Sequence, residues 1–164
     1  MYIVVGLGNP SAEYAKTRHN TGRMAADNVR DKVSGIKVFV PDTFMNKTGS
    51  AVAKVVKSKR AAEKLIVIYD DLDLPLGTMR ISYNRGSGGH KGLESIIRAL
   101  KTREFIRIRI GIGKKSDVEK HILGNFSKLE MEKLKKVFKG VVTAVETIIE
   151  EGLQPAMTEF NVAN

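Results

Sequence analysis

Cysteine and tryptophan are absent from the 164 residues, proline occurs 4 times and histidine 3 times. Without cysteine there is no disulfide framework, no thiol nucleophile and no cysteine-based zinc site. Three histidines are too few for a histidine-rich metal centre. No apolar run approaches the roughly 18 residues of a membrane span. The N-terminus, MYIVVGLGNP, lacks the basic start and long apolar stretch of a signal peptide, so the expectation is a cytoplasmic protein with no membrane partner. Acidic residues are scarce as well, 18 against 28 Lys+Arg, for a formal charge of +10. That surplus favours an anionic partner without naming one. What is plentiful is apolar: 42% hydrophobic residues beside 28% charged ones suit one folded domain over residues 1–164.

The apolar pattern alternates between two periods. Residues 2–6, 36–40 and 65–69 are short β-branched runs that read as buried strands, with further strands over 78–83 and 105–112. In the last of these Arg107 and Arg109 alternate with isoleucines, which predicts a half-exposed strand with a basic face. Helical spacing marks 21–33, 46–60, 91–101 and 128–151. Alternating strands and helices predict a single α/β domain, a mixed twisted β-sheet with helices on both faces. In such sheets the loops at strand carboxyl ends usually carry the site.

Four such segments hold candidate chemistry. The first, GLGNPSAEYAKTRHN at 6–20, contains Asn9, Tyr14 and His19. His19 is the best general-base candidate, since imidazole titrates near neutrality; the alternative is an incidental surface histidine. The second, PDTFMNKTG at 41–49, sets Phe44 and Met45 beside Asn46, whose amide suits either a substrate or the cap of the next helix. The third, YDDLDLPLG at 69–77, offers Asp70, Asp71 and Asp73. These fit a divalent-metal site, an aspartate that orients a histidine, or a solvated acidic turn. The fourth, GSGGHKG at 86–92, leads a glycine-rich loop into a helix, where backbone N–H groups can meet an anion. It is not a P-loop, and GLGNPS lacks the third glycine of a dinucleotide fingerprint. His90 within it could be catalytic, although a histidine at a helix start is more often structural. With no GxSxG elbow and no cysteine, ester chemistry here calls for water as the nucleophile. Basic residues concentrate in 47–64 and 80–115, a distribution suited to phosphate.

Taken together, GLGNP-x3-Y-x2-TRHN-x-G, P-x-T-F-M-N-x-[ST]-G, DDLDLP-x-G, GSGGHKGL and RIGIG, in this order, resemble bacterial-type peptidyl-tRNA hydrolase from end to end. The resemblance implies a cofactor-free, metal-free esterase. It would cleave an N-blocked peptide from the 3′ end of tRNA and so recycle tRNA from stalled or aborted translation. It implies His19 as the base that activates water, Asp70 as its orienting carboxylate and Asn9 as the oxyanion donor. Asn46 would bind the peptide. Tyr14 and Met45 would line the cleft around the tRNA 3′ end, Gly88 and its neighbours would give close backbone approach to the substrate, Lys91 would contact substrate or tRNA, and Arg80 and Arg109 would meet tRNA phosphate. The partner implied is peptidyl-tRNA, through its acceptor stem and 3′ CCA end. The protein would be a monomer with no obligate protein partner.

The chain departs from the family pattern in three places. Lys91 stands where many members have Asn, and Asn84-Arg85-Gly86 replaces a run nearer to three glycines. The chain is also about 20 residues shorter than family size, with the loss between Asp27 and Pro41. Three rival readings are a catalytically inactive RNA-binding protein of the same fold, a nucleotide-dependent enzyme, and a metal hydrolase using Asp70, Asp71 and Asp73. Asn9, His19 and Asp70 are all present, which speaks against the first.

Overall fold

The computed structural model describes residues 1–161. Its central strand, β3 (Leu65–Asp71), is buried at six of seven positions, which is what an unbroken apolar run requires when both sheet faces are covered. Four further strands complete the sheet: β1 (Ile3–Gly6), β2 (Lys37–Phe39), β4 (Met79–Tyr83) and β5 (Ile106–Gly111). Their order is β2-β1-β3-β5-β4, parallel throughout except for β4, which runs antiparallel to β5.

The described residues also form seven α-helices: α1 (Thr21–Lys32), α2 (Thr48–Ala53), α3 (Lys59–Ala62), α4 (Lys91–Leu100), α5 (Val118–Leu123), α6 (Lys128–Glu151) and α7 (Leu153–Phe160). The two-residue period of the strands divides the core. Ile66, Ile68, Ile106, Ile108 and Ile110 pack against α1, α6 and α7. Val5, Val67 and Tyr69 pack with residues of α2 and α4 on the opposite face. The mixed sheet with helices on both faces is therefore as expected from the pattern. Helix α6 is the clearest case: Ser127 and Glu130 form a reciprocal capping box, and Gly152 at φ 98° ends it. Among the described residues no helix is long and apolar enough to cross a membrane.

Three expectations are corrected. Strand β5 is buried at all six positions, with no exposed basic face. Arg107 is 0% exposed, its guanidinium donating to the carbonyls of Arg85, Arg103 and Phe105, while Arg109 is 6% exposed. The single helix expected over 46–60 is broken into α2 and α3, because Ser58 caps a new start by accepting the Ala61 N–H. Asp70 and Asp71 lie inside β3 rather than in the loop after it.

Candidate active site

Helix α1 begins hard against β3. A Cβ on Gly22 would lie 2.1 Å from the Ile68 carbonyl oxygen, so glycine alone permits this approach. The preceding 3-10 turn, Arg18–Asn20, is thereby brought to the carboxyl end of β3 with His19 buried in it. Arg18 clamps that turn from the other side, donating to the His121 carbonyl at 3.2 Å and to Glu130 Oε1 at 3.1 Å.

His19 Nδ1 lies 2.8 Å from Asp70 Oδ2, and His90 Nε2 lies 2.9 Å from Asp70 Oδ1. One buried carboxylate thus holds two imidazoles. Burial alone would raise the Asp70 carboxyl, but the two histidines outweigh it and hold it well below the usual carboxylate range. For His19 burial pulls toward the neutral form, yet the Asp70 charge prevails and raises it above its ordinary value, with Lys91 opposing. An ionised Asp70 accepts from Nδ1–H of His19 and leaves Nε2 without a protein partner among the described residues, on the cleft side.

Asn9 is held as firmly. Its backbone N–H donates to Asn20 Oδ1 at 2.8 Å, and its carbonyl accepts from Asn20 Nδ2 at 2.9 Å and Arg23 at 3.0 Å. The side-chain oxygen accepts the Met45 N–H at 3.3 Å, which fixes the amide orientation and leaves its NH2, at the cleft, without a protein partner among the described residues. The cleft encloses about 610 Å³. Asn9, His19, Asp70, His90 and Lys91 are among its polar lining, which Arg85, Lys114 and further acidic residues extend, Phe44 and Met45 form one apolar patch, and Val118, Ile122 and Leu123 of α5 another.

His19, Asp70 and His90 present donor atoms within 4.8 Å of one another, a spacing that a metal centre also shows. The tautomer of His90 argues against one. Its Nδ1 accepts the Leu93 N–H at 3.2 Å and so carries a lone pair there. A neutral imidazole bound to metal through Nε2 must carry its proton on Nδ1, which would face the Leu93 N–H donor to donor. The acidic triplet does not converge either: Asp71 pairs with Arg109 at 2.8 Å, and exposed Asp73 lies 3.9 Å from Lys114.

A family model described as peptidyl-tRNA hydrolase matches residues 3–38 and 32–164. The chain belongs to the peptidyl-tRNA hydrolase family. The peptidyl-tRNA hydrolase of Syntrophotalea carbinolica is 41% identical over 185 positions, covering 98% of this chain and 97% of its own. That of Aquifex aeolicus is 41% identical over 183 positions, covering 97% and 95%. The crystal structure of peptidyl-tRNA hydrolase from Acinetobacter baumannii superposes with a TM-score of 0.92 at 28% identity, covering 100% of this chain and 96% of that one. The 185 aligned positions exceed this chain's 164 residues, and the family match divides at 32–38, directly after α1.

Of the residues expected at a peptidyl-tRNA hydrolase site, the structure gathers Asn9, His19, Met45, Asp70, Gly88 and Lys91 around the cleft. Tyr14 stands outside its lining, edge-on to Phe44 at 6.2 Å between ring centroids. Asn46 is exposed and caps no helix through its side chain; only its backbone carbonyl is engaged, by Ser95 at 3.2 Å. Arg80 is exposed on β4. Arg109 differs from expectation: its Nε donates to Ser82 and its Nη1 to Asp71, so its guanidinium faces the interior. His90, for which a catalytic role was open beside the commoner structural one, both caps α4 and holds Asp70.

Proposed function

We propose that this chain hydrolyses the ester joining an N-blocked peptide to the 3′ end of tRNA, with His19, Asp70 and Asn9 as its catalytic group. One observation carries the reading: Asp70 engages His19 through Nδ1, so that Nε2 faces the same cleft as the free NH2 of Asn9. In this scheme His19 Nε2 takes a proton from water as the water oxygen adds to the ester carbonyl carbon. Asn9 donates to the resulting oxyanion. As the tetrahedral species collapses, the proton returns from His19 to the ribose 3′ oxygen, releasing a peptide acid and tRNA. Asn46 binds the peptide side, while Tyr14, Met45 and Gly88 border the tRNA end. The acceptor stem and CCA end are the partner surface. The protein works as a cytoplasmic monomer, with no obligate protein partner and no cofactor.

The test is turnover of an N-acetylated aminoacyl-tRNA beside the same aminoacyl-tRNA with a free amine, each with and without EDTA. The expected result is turnover of the blocked substrate, little of the free one, and no effect of the chelator. Tight tRNA binding without turnover would instead identify an inactive RNA-binding relative. Loss in EDTA restored by a divalent ion would identify a metal hydrolase.

A further inference from the structure

Helix α4 starts at the cleft floor. A Cβ on Gly92 would lie 2.7 Å from Met45 Sδ and 3.1 Å from His90 Cε1, so the first turn is pressed against two cleft residues. Within that turn the Leu93 N–H is taken by His90 Nδ1 and the Glu94 N–H by the His90 carbonyl. The N–H groups of Lys91 and Gly92 have no intrahelical acceptor. Lys91 lines the cleft, forms no ion pair among the described residues, and stands near enough to His19 for its charge to act on that imidazole. Gly88 and Gly89, at φ 60° and 87°, carry the loop past this point with nothing within 4 Å of where a Cβ would stand. Asn9, only 8% exposed, aims an unpartnered amide NH2 into the same space. An unpaired cation, a helix N-terminus and a fixed buried amide thus share one cleft beside the general base.

We propose that Lys91 is a further catalytic residue: with the Asn9 amide, its ammonium meets the negative charge that develops on the ester carbonyl oxygen and that remains on the carboxylate of the released peptide. This rests on the hydrolase reading and adds a consequence peculiar to a charged residue at this position. Transition state and acid product are stabilised by the same cation, so the enzyme is inhibited by its own acid product. An uncharged side chain at 91 would relieve that inhibition only at the expense of rate. A contact to tRNA phosphate, the other role open to an exposed lysine, would act on affinity and not on the chemical step.

The experiment compares wild type, Lys91→Met and Lys91→Arg on N-acetyl-aminoacyl-tRNA, with the N-acetylated amino acid and its uncharged amide as inhibitors. In Lys91→Met, kcat falls about 10²-fold with KM little changed. Inhibition by the acid weakens about tenfold. The amide inhibits both proteins equally weakly, and Lys91→Arg keeps most of both effects. The charged groups that act on His19 are Asp70 from β3 and Lys91 from the start of α4, and Asp71, Asp73, Arg85, Lys114 and Glu119 line the same cleft. Removing the lysine cation therefore also moves the rising limb of the kcat profile to higher pH. The proposal is overturned if Lys91→Met leaves kcat intact, whether or not KM rises and the salt dependence flattens, or if acid and amide inhibit wild type alike. Failure of wild type to turn over the blocked substrate would overturn the hydrolase reading itself.

Discussion

His19 and His90 hang from the two oxygens of one carboxylate, yet they are not equivalent. His90 is committed at both nitrogens, Nε2 to Asp70 and Nδ1 to the Leu93 N–H. Among the described residues His19 is committed at Nδ1 alone. With ring centroids 4.9 Å apart, the two share burial and a counter-ion and differ in a single free lone pair. Proximity to an aspartate therefore does not make a histidine a base; what decides is which nitrogen the backbone has already occupied.

The largest expected effect separates the pair. His19→Ala should lower kcat by about 10²–10⁴-fold while the protein stays folded and binds tRNA. His90→Ala should lower kcat less but cost about 2–3 kcal/mol of stability, through the lost cap and a lost bond to a buried charge. Steady-state turnover and urea midpoints of both variants check this. Equal kinetic losses with equal stability would erase the distinction.

A smaller effect lies in the pH dependence. The neutral imidazole of His19 is the reactive form and its proton affinity is raised, so kcat/KM should climb with pH and level off only above the ordinary 6.5. Stability carries two opposed contributions. His19, raised on folding, stabilises fully below its unfolded value, and this is lost as pH rises through the folded one. Asp70, lowered on folding, stabilises above its unfolded value, and this is lost as pH falls toward the folded one. Urea midpoints across pH should therefore decline on both sides, and Asp70→Asn should remove the acid-side decline contributed by that group.

The smallest effect extends the comparison to two arginines that face each other in the sheet, Arg80 on β4 and Arg109 on β5. Arg80 is exposed and Arg109 committed. Arg80→Ala should raise the half-saturating tRNA concentration and flatten the salt slope by up to about one unit, with kcat unchanged. Arg109→Ala should instead destabilise by about 3 kcal/mol, because Asp71 is left unpaired in a partly buried position. A hydrolysis series across salt, with thermal melts, distinguishes the two. An Arg109 variant that melts normally but binds tRNA weakly would return that residue to the RNA surface.

The motif order carried the site's membership: Asn9 and His19 could be named from one string and Asp70 from another, and the structure brings all three to one cleft. What those strings could not convey is orientation. The double duty of His90 depends on where the Leu93 N–H points, which is settled only once α4 has docked on Met45. The alternation of arginine with isoleucine in β5 gave the correct two faces but the wrong environment. Guanidinium groups can be buried when carbonyls and a carboxylate converge on them, and neither the Arg85 carbonyl nor Asp71 is near in sequence. Valine spacing over 46–60 is helical, but it does not register that Ser58 offers a competing start. Helices α5 and α7 are too short to show a helical period, at 6 and 8 residues, and each buries one residue, His121 or Ala156.

Buried Arg107 reaches out of the sheet to the carbonyl of Arg85, the residue at which the glycine-rich loop departs. At the loop's other end His90 is moored to Asp70. The span between them, Gly86 to Gly89, is thus a drawbridge pinned at both abutments, one to a strand interior and one to the catalytic carboxylate. Both pins end on buried groups, Arg107 and Asp70, so the place of the span beside the cleft is set by the sheet and not by its own four residues.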